Sequence, residues 1–259
     1  MHNRQQKGKW NMSQNVLVVH GGGPTAVINA SLYGVIEEAK RNPEVGKVYG
    51  AIGGTGAIFS ETFIDLTSFD DEKLKLLLHT PASAIGSSRY PLYEKDYEKM
   101  VDIFKKHDIK YVLLNGGNGT MDACGHIYEV CKDQDIKVVG IPKTIDNDIA
   151  MTDHSPGYGS AARFIAASTQ EVGEDVKSLP IHVCIMEAMG RNAGWITAAS
   201  ALARRKQGDA PHLIYLPERN FNEDEFLEDV SRLQKKQGGV VVLVSEGLHD
   251  ANGESIVPP

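Results

Sequence analysis

Seven short runs of apolar, β-branched-rich residues recur along the chain, at 15–20, 47–52, 109–114, 137–141, 182–187, 213–216 and 240–244. Several are continuous rather than alternating (NVLVV, YVLL, VVLV), the pattern of parallel strands buried on both faces. Between most of them lie segments of helical period, at 26–41, 93–107, 120–132, 160–177, 194–205 and 223–237. In the first, Val27, Leu32, Val35, Ile36 and Ala39 fall near one face. Strand and helix alternating in this way predict βαβ units and an open parallel sheet. The fold class expected is α/β, with two lobes, each a mainly parallel sheet with helices on both faces.

Ligands of such sheets sit at the carboxyl ends of the strands, so the loops just after strands carry the information. Four are unusual: HGGGPTA at 20–26, NGGNGTMD at 115–122, the long segment 141–160, and MEAMGRNAGW at 186–195. A helix-poor stretch as long as 142–159 is a candidate crossing between lobes. The expected division is a leader over 1–14, a first lobe over 15–155 and part of a second lobe over 156–259.

Composition narrows the function. The chain of 259 residues is 41% hydrophobic and 24% charged, ordinary for a globular protein. Its net charge of -7 and the lack of clustered Lys and Arg argue against nucleic acid as a partner. A polyanionic substrate would then need local cations inside a cleft. Cys124, Cys131 and Cys184 have no CxxC or metal-ligand spacing and read as reduced thiols. No apolar run reaches the roughly 18 residues of a membrane helix. The opening MHNRQQKGKWN has no signal-peptide core and reads as a leader, or as an upstream start before Met12. The cytoplasm is the compartment expected, with no membrane partner.

Gly116-Gly117-Asn118-Gly119-Thr120 follows a strand and opens a helix. Glycines let backbone N–H groups approach phosphate oxygens, and a helix N-terminus favours anions. The Thr120 hydroxyl could cap that helix or donate to a phosphate. A tight strand-to-helix turn would use the same glycines. No GxxxxGK[ST] occurs, so this is not a Walker P-loop. HGGGPTA, with Gly22, is a second glycine turn aimed at the same rim. Lys143-Thr144-Ile145-Asp146-Asn147-Asp148 places two carboxylates two residues apart. On an extended stretch both would face one site. Phosphoryl transfer needs a base for the attacking hydroxyl and Mg²⁺ on the phosphate oxygens, and two carboxylates could divide those tasks. An Asx-type turn with solvated carboxylates is the alternative. Arg89 and Arg191 are loop arginines with the planar donors that suit phosphate, and Glu246 stands at a strand end where it could accept from sugar hydroxyls.

Together these loops resemble the phosphofructokinase family. The match runs from Val16 to at least Gly247, through GSSR at 86–89, the glycine loop at 116–120, PKTIDND at 142–148, MGR at 189–191 and SEG at 245–247. The resemblance implies phosphoryl transfer to the 1-hydroxyl of fructose 6-phosphate. Asp146 would be the base, Thr144 would contact the moving phosphoryl group, and Asp148 with Asn118 would organise Mg²⁺. Met189, Gly190, Arg191 and Glu246 would hold the sugar, with Arg191 also serving catalysis. Gly22, Arg89, Gly117, Asn118, Gly119, Thr120 and Lys143 would line the donor side. A homo-oligomer, dimer or tetramer, is implied as well.

The departures from the family pattern carry expectations of their own. Many members have Asp where Asn118 stands, so metal binding would lean on Asp148 and the donor's own phosphates. Pyrophosphate users typically carry Asp at position 119 and Lys at position 143. This chain has Gly119, which admits a nucleotide, together with Lys143. A carboxylate at 119 is the harder exclusion, so ATP is the expected donor and pyrophosphate the alternative. A non-catalytic nucleotide-binding regulatory subunit is the more distant reading, and the presence of both Asp146 and Asp148 opposes it. His182 replaces an arginine that reaches a neighbouring subunit's sugar site. Tyr33 and Glu37 replace effector-binding arginines, so anionic effectors are not expected to act there. Family members continue beyond the SEG strand, so the chain is expected to lack their C-terminal part and to be weakly active or inactive alone.

Overall fold

A computed structural model describes residues 14–179 and 182–256. The leader expected over 1–14 lies outside the described residues, apart from Gln14, which opens the first strand. Contacts divide the chain into two compact units, one ending at Lys143 and the other beginning at Thr144. Residues 144–155 therefore stand with the second unit, whereas the sequence reading placed the change of lobe after 155.

The first unit runs β1 (Gln14–Gly21), α1 (Ala26–Arg41), β2 (Val45–Ala51), α2 (Gly56–Phe59), β3 (Phe63–Asp65), α3 (Asp71–Lys75), α4 (Glu94–Lys106), β4 (Ile109–Gly116), α5 (Asn118–Cys131) and β5 (Lys137–Pro142). Its sheet has the order β3-β2-β1-β4-β5. All pairings are parallel except β2 with β3. From β1 the chain moves outward to β2 and β3, then returns to place β4 on the opposite side. The order thus reverses between β1 and β4, and a crevice at their carboxyl ends is where open α/β sheets bind ligands.

β1 shows why its run is apolar throughout. Leu17 and Val19 enter one core with Met100, Phe104 and Ile127, while Val16 and Val18 enter another with Leu32 and Ile36. Alternate residues point to opposite faces, and helices cover both. Local signals set the helix ends. In α4, Tyr97, Met100, Val101 and Phe104 are buried at helical spacing, Asp96 accepts from the Tyr93 N–H at 3.1 Å, and Lys105 and Lys106 complement the dipole at the last turn.

The second unit contains α6 (Tyr158–Ser178), β6 (Val183–Ala188), α7 (Trp195–Ala199), β7 (Leu213–Tyr215), α8 (Glu223–Gln237) and β8 (Val240–Ser245). Its sheet is parallel, in the order β6-β8-β7. The segment expected as one helix over 194–205 is α7 followed by a 3-10 turn at Ser200–Ala203. Val240, Val241, Val242 and Leu243 on the central strand are fully buried. The edge strands differ from the expectation of burial on both faces. Val139 on β5 is 51% exposed and Ile185 on β6 is 55% exposed, and exposure alternates along both strands, so the face these side chains occupy is left uncovered. Short β3, α2 and α3 were not expected: each is shorter than the periods by which a pattern is recognised.

Candidate active site

Three strand ends of the first unit stand side by side. Gly21 of β1 is level with Gly116 of β4, and Gly116 is level with Pro142 of β5. The loops leaving them are Gly22-Gly23, Gly117-Asn118-Gly119-Thr120 and Lys143. Both glycine turns meet at Thr120: a Cβ on Gly21 or on Gly116 would run into its hydroxyl. The α5 helix begins at Asn118 with Gly117 as its N-cap, so Thr120 is a buried first-turn residue and not the cap. No acidic residue occupies that first turn, which leaves the helix dipole to favour an anion there. Gly119 is exposed, and a Cβ on it would meet nothing within 4 Å.

Lys143 is 7% exposed. Its backbone N–H donates to the Gly116 carbonyl at 2.8 Å, and its ammonium donates to the carbonyl of Gly23. A buried cation thus sits within the glycine cradle. Beside it, His20 is fully buried and its pKa is pushed down to about 4, by burial first and by the Lys143 charge second. The imidazole is neutral at physiological pH.

The GSSR loop is fastened to the first glycine turn. Gly22, at φ +72°, donates its N–H to the Ser88 carbonyl at 3.4 Å, and Ser87 Oγ donates to the Gly22 carbonyl at 2.7 Å. A surface hollow of about 370 Å³ is lined by Gly22, Gly86, Ser87, Ser88 and the exposed Arg89, among others. Gly22, Arg89, Gly117, Asn118, Gly119, Thr120 and Lys143 therefore all lie along the β1, β4 and β5 rim or on the loop tied to it.

Thr144, Asp146 and Asp148 belong to the second unit. Thr144 is buried, and its N–H donates to the Pro156 carbonyl at 3.0 Å, which brings it beside Gly157, the N-cap of α6. Its hydroxyl accepts from the Asp146 N–H at 3.0 Å. The expectation that alternation on an extended stretch points both aspartates one way does not hold here. Asn147 between them has φ +60°, which breaks the two-residue repeat. Asp146 is half-buried and Asp148 exposed.

Asn147 is what holds this loop. Its Nδ2 donates to the Asp153 carbonyl at 3.2 Å and its Oδ1 accepts from the Ser155 N–H at 2.7 Å. Sequence reasoning passed over Asn147 because its partners are only apparent once the loop closes on itself. The signal available was the residue type, since Asn tolerates positive φ.

Glu246 organises the third loop. One of its oxygens, Oε1, accepts from the N–H groups of Gly190 and Arg191 at 2.9 and 2.8 Å. Gly190 has φ +144° and Arg191 φ +51°, and a Cβ on Gly247 would collide with the Arg191 carbonyl. Met189 is 61% exposed beside them. Met189, Gly190, Arg191 and Glu246 are thus brought together. Glu218, not anticipated, accepts from the Gly194 N–H at 2.7 Å and closes the loop's far end. His182 is exposed at the entry to β6. No described helix is long and apolar enough to cross a membrane.

The chain spans about 60% of the length of the curated relatives it matches. It is 44% identical over 244 residues to a pyrophosphate--fructose 6-phosphate 1-phosphotransferase of Rhodospirillum rubrum, covering 93% of this chain and 60% of that protein. It is 30% identical to an ATP-dependent 6-phosphofructokinase of Amycolatopsis methanolica, covering 91% of this chain and 52% of that one. The crystal structure of a pyrophosphate-dependent phosphofructokinase from Nitrosospira multiformis superposes with a TM-score of 0.85 at 38% identity, over 93% of this chain and 62% of that one. The phosphofructokinase family model matches residues 15–257. With that match running from β1 past β8, the chain belongs to the phosphofructokinase family.

Proposed function

We propose that the protein to which this chain belongs is a pyrophosphate-dependent fructose 6-phosphate 1-phosphotransferase. The observation that carries the donor assignment is Lys143, a buried ammonium held at the Gly23 carbonyl within the glycine cradle. A small dense anion gains most from a desolvated cation at close range. The relatives point the same way: the pyrophosphate enzyme of R. rubrum shares 44% of matched residues and the ATP enzyme of A. methanolica 30%. The expectation of ATP from Gly119 is replaced on these grounds. It keeps one supporting observation, the open space around Gly119.

In this reading the 1-hydroxyl of fructose 6-phosphate attacks one phosphorus of pyrophosphate, and Asp146 takes its proton. The P–O bond to the other phosphate breaks, and orthophosphate leaves with the bridging oxygen. Lys143, the α5 N-terminus and Arg89 offset the charge on the donor. Thr144, beside the α6 N-terminus, contacts the transferring group. Arg191 and Met189 hold the sugar phosphate on a loop shaped by Glu246. Asp148, an exposed carboxylate of the second unit, would offer Mg²⁺ a hard oxygen, and Asn118 of the first unit a neutral one, with phosphate oxygens and water as further ligands. When bound, Mg²⁺ would neutralise phosphate oxygens.

The test is turnover of the full-length protein with fructose 6-phosphate and Mg²⁺, supplying pyrophosphate or ATP separately. Turnover with pyrophosphate is expected. Turnover with ATP alone would overturn the donor assignment and return the decision to Gly119.

A further inference from the structure

His20 has no part in the chemistry above, yet it is fully buried at the end of β1. Its Nδ1 lies 2.8 Å from Ser83 Oγ. Ser83 Oγ in turn donates its one proton to the Gly86 carbonyl at 2.7 Å. A hydroxyl has a single hydrogen, so the proton between His20 and Ser83 must come from the ring. The imidazole is thereby the Nδ1–H tautomer. Its other nitrogen, Nε2, is buried with no hydrogen-bond partner. An apolar side chain would fill the same place without leaving a bare polar atom, so the ring's value lies in the Nδ1–H bond.

That bond points into the donor side. The relay runs one way, from the His20 N–H to the Ser83 hydroxyl to the Gly86 carbonyl. Gly86, at φ +73°, opens the segment Gly86-Ser87-Ser88-Arg89. Ser87 and Ser88 then bond to Gly22. The strand end that carries the glycine cradle is therefore linked to the Arg89 loop twice: directly through Gly22, and from beneath through His20 and Ser83.

We infer that His20 and Ser83 form a positioning pair that sets the Arg89 loop against the glycine cradle and so governs affinity for the phosphate donor. This rests on the assignment of that rim to the donor. His20 is fully buried and away from the surface, while Ser83 also lines the hollow beside Arg89. Each acts through the loop it aligns.

The experiment compares His20→Asn, His20→Gln and Ser83→Ala in the full-length protein. An Asn amide stands near the place of Nδ1–H and preserves the bond to Ser83. A Gln amide reaches toward Nε2 and does not. The KM for pyrophosphate is expected to rise about tenfold in His20→Gln and Ser83→Ala and to stay within about twofold in His20→Asn, with the KM for fructose 6-phosphate unchanged in all three. The double variant His20→Gln/Ser83→Ala is expected to equal either single change, because one relay is broken once. Equal changes in both KM values, or failure of Asn to rescue, would overturn the pair's role. If the wild type uses ATP and not pyrophosphate, the proposed donor fails, and the same variants are read on the KM for ATP. Imidazole nitrogen NMR gives a readout that needs no turnover: a protonated Nδ1 is expected, and a protonated Nε2 with bare Nδ1 would refute the relay.

Discussion

The Arg191 N–H donates to Glu246 Oε1 at 2.8 Å, a bond across 55 residues that holds a non-glycine residue at φ +51°. The same oxygen accepts from Gly190. Removing it would take the acceptor from two N–H groups and leave the turn to the bond from the Ala193 N–H to the Gly190 carbonyl. Glu246→Ala is expected to cost about 1–3 kcal/mol in urea unfolding and to raise the KM for the sugar phosphate. Glu246→Gln keeps an acceptor and should retain most of the stability. A Glu246→Ala protein that is both as stable and as tight for the sugar as wild type would show that the loop holds itself.

Asn147 makes the corresponding contribution between the two aspartates. Asn147→Gly keeps the φ +60° accessible but removes both side-chain bonds, while Asn147→Ala also strains the backbone. We expect turnover to fall in both, with Ala less stable than Gly by about 1 kcal/mol. Thermal melts and initial rates check this. Equal melting of the two variants would remove the strain argument.

Donor choice is testable at two positions. Gly119→Asp projects into open space in the first turn of α5, where a carboxylate suits the helix dipole. The melting temperature should hold or rise, pyrophosphate use should persist, and any ATP use should vanish. Lys143→Met removes the buried cation. If Lys143 contacts the donor as proposed, losing a charge-assisted bond of about 1.5–3 kcal/mol should raise the pyrophosphate KM tenfold or more. A Lys143→Met enzyme with unchanged pyrophosphate KM would take the donor assignment down with it.

His20 gives the fold a pH dependence. In the unfolded chain an imidazole takes its proton near 6.5, whereas in the fold His20 does so only near 4. Between those values the unfolded state binds more protons. Stability is therefore full above about pH 6.5 and falls as pH drops toward 4. From pH 7 to pH 5 the loss from this residue is about 2 kcal/mol. Wild type should lose that much more than His20→Asn over the same interval, measured by urea unfolding. Parallel pH profiles would mean that the buried ring accepts its proton without penalty.

Much of this was legible in the residues alone. Runs such as NVLVV marked strands because a parallel strand covered on both faces must be apolar at every position, and β1 is buried accordingly. The glycine turns after 20 and 115 showed themselves because backbone can approach a phosphate or another strand only where side chains are absent. PKTIDND and MGR carried the family. These signals are local, and local chemistry is what a sequence displays.

The rest needed the chain folded. That β1 and β4 are neighbours, with β2 and β3 on the other side, follows from how the strands pair, and no residue type encodes that order by itself. The two aspartates were expected on one face of an extended stretch. The turn at Asn147 changed that, since its bonds to Asp153 and Ser155 exist only after the loop closes. His20 meets Ser83 across 63 residues, and Glu246 meets Gly190 across 56. Sequence determined which charged, polar and glycine groups the strand-end loops could present. Tertiary structure decided their orientation and their charge, because hydrogen-bond direction and burial are properties of neighbours that the chain acquires only on folding.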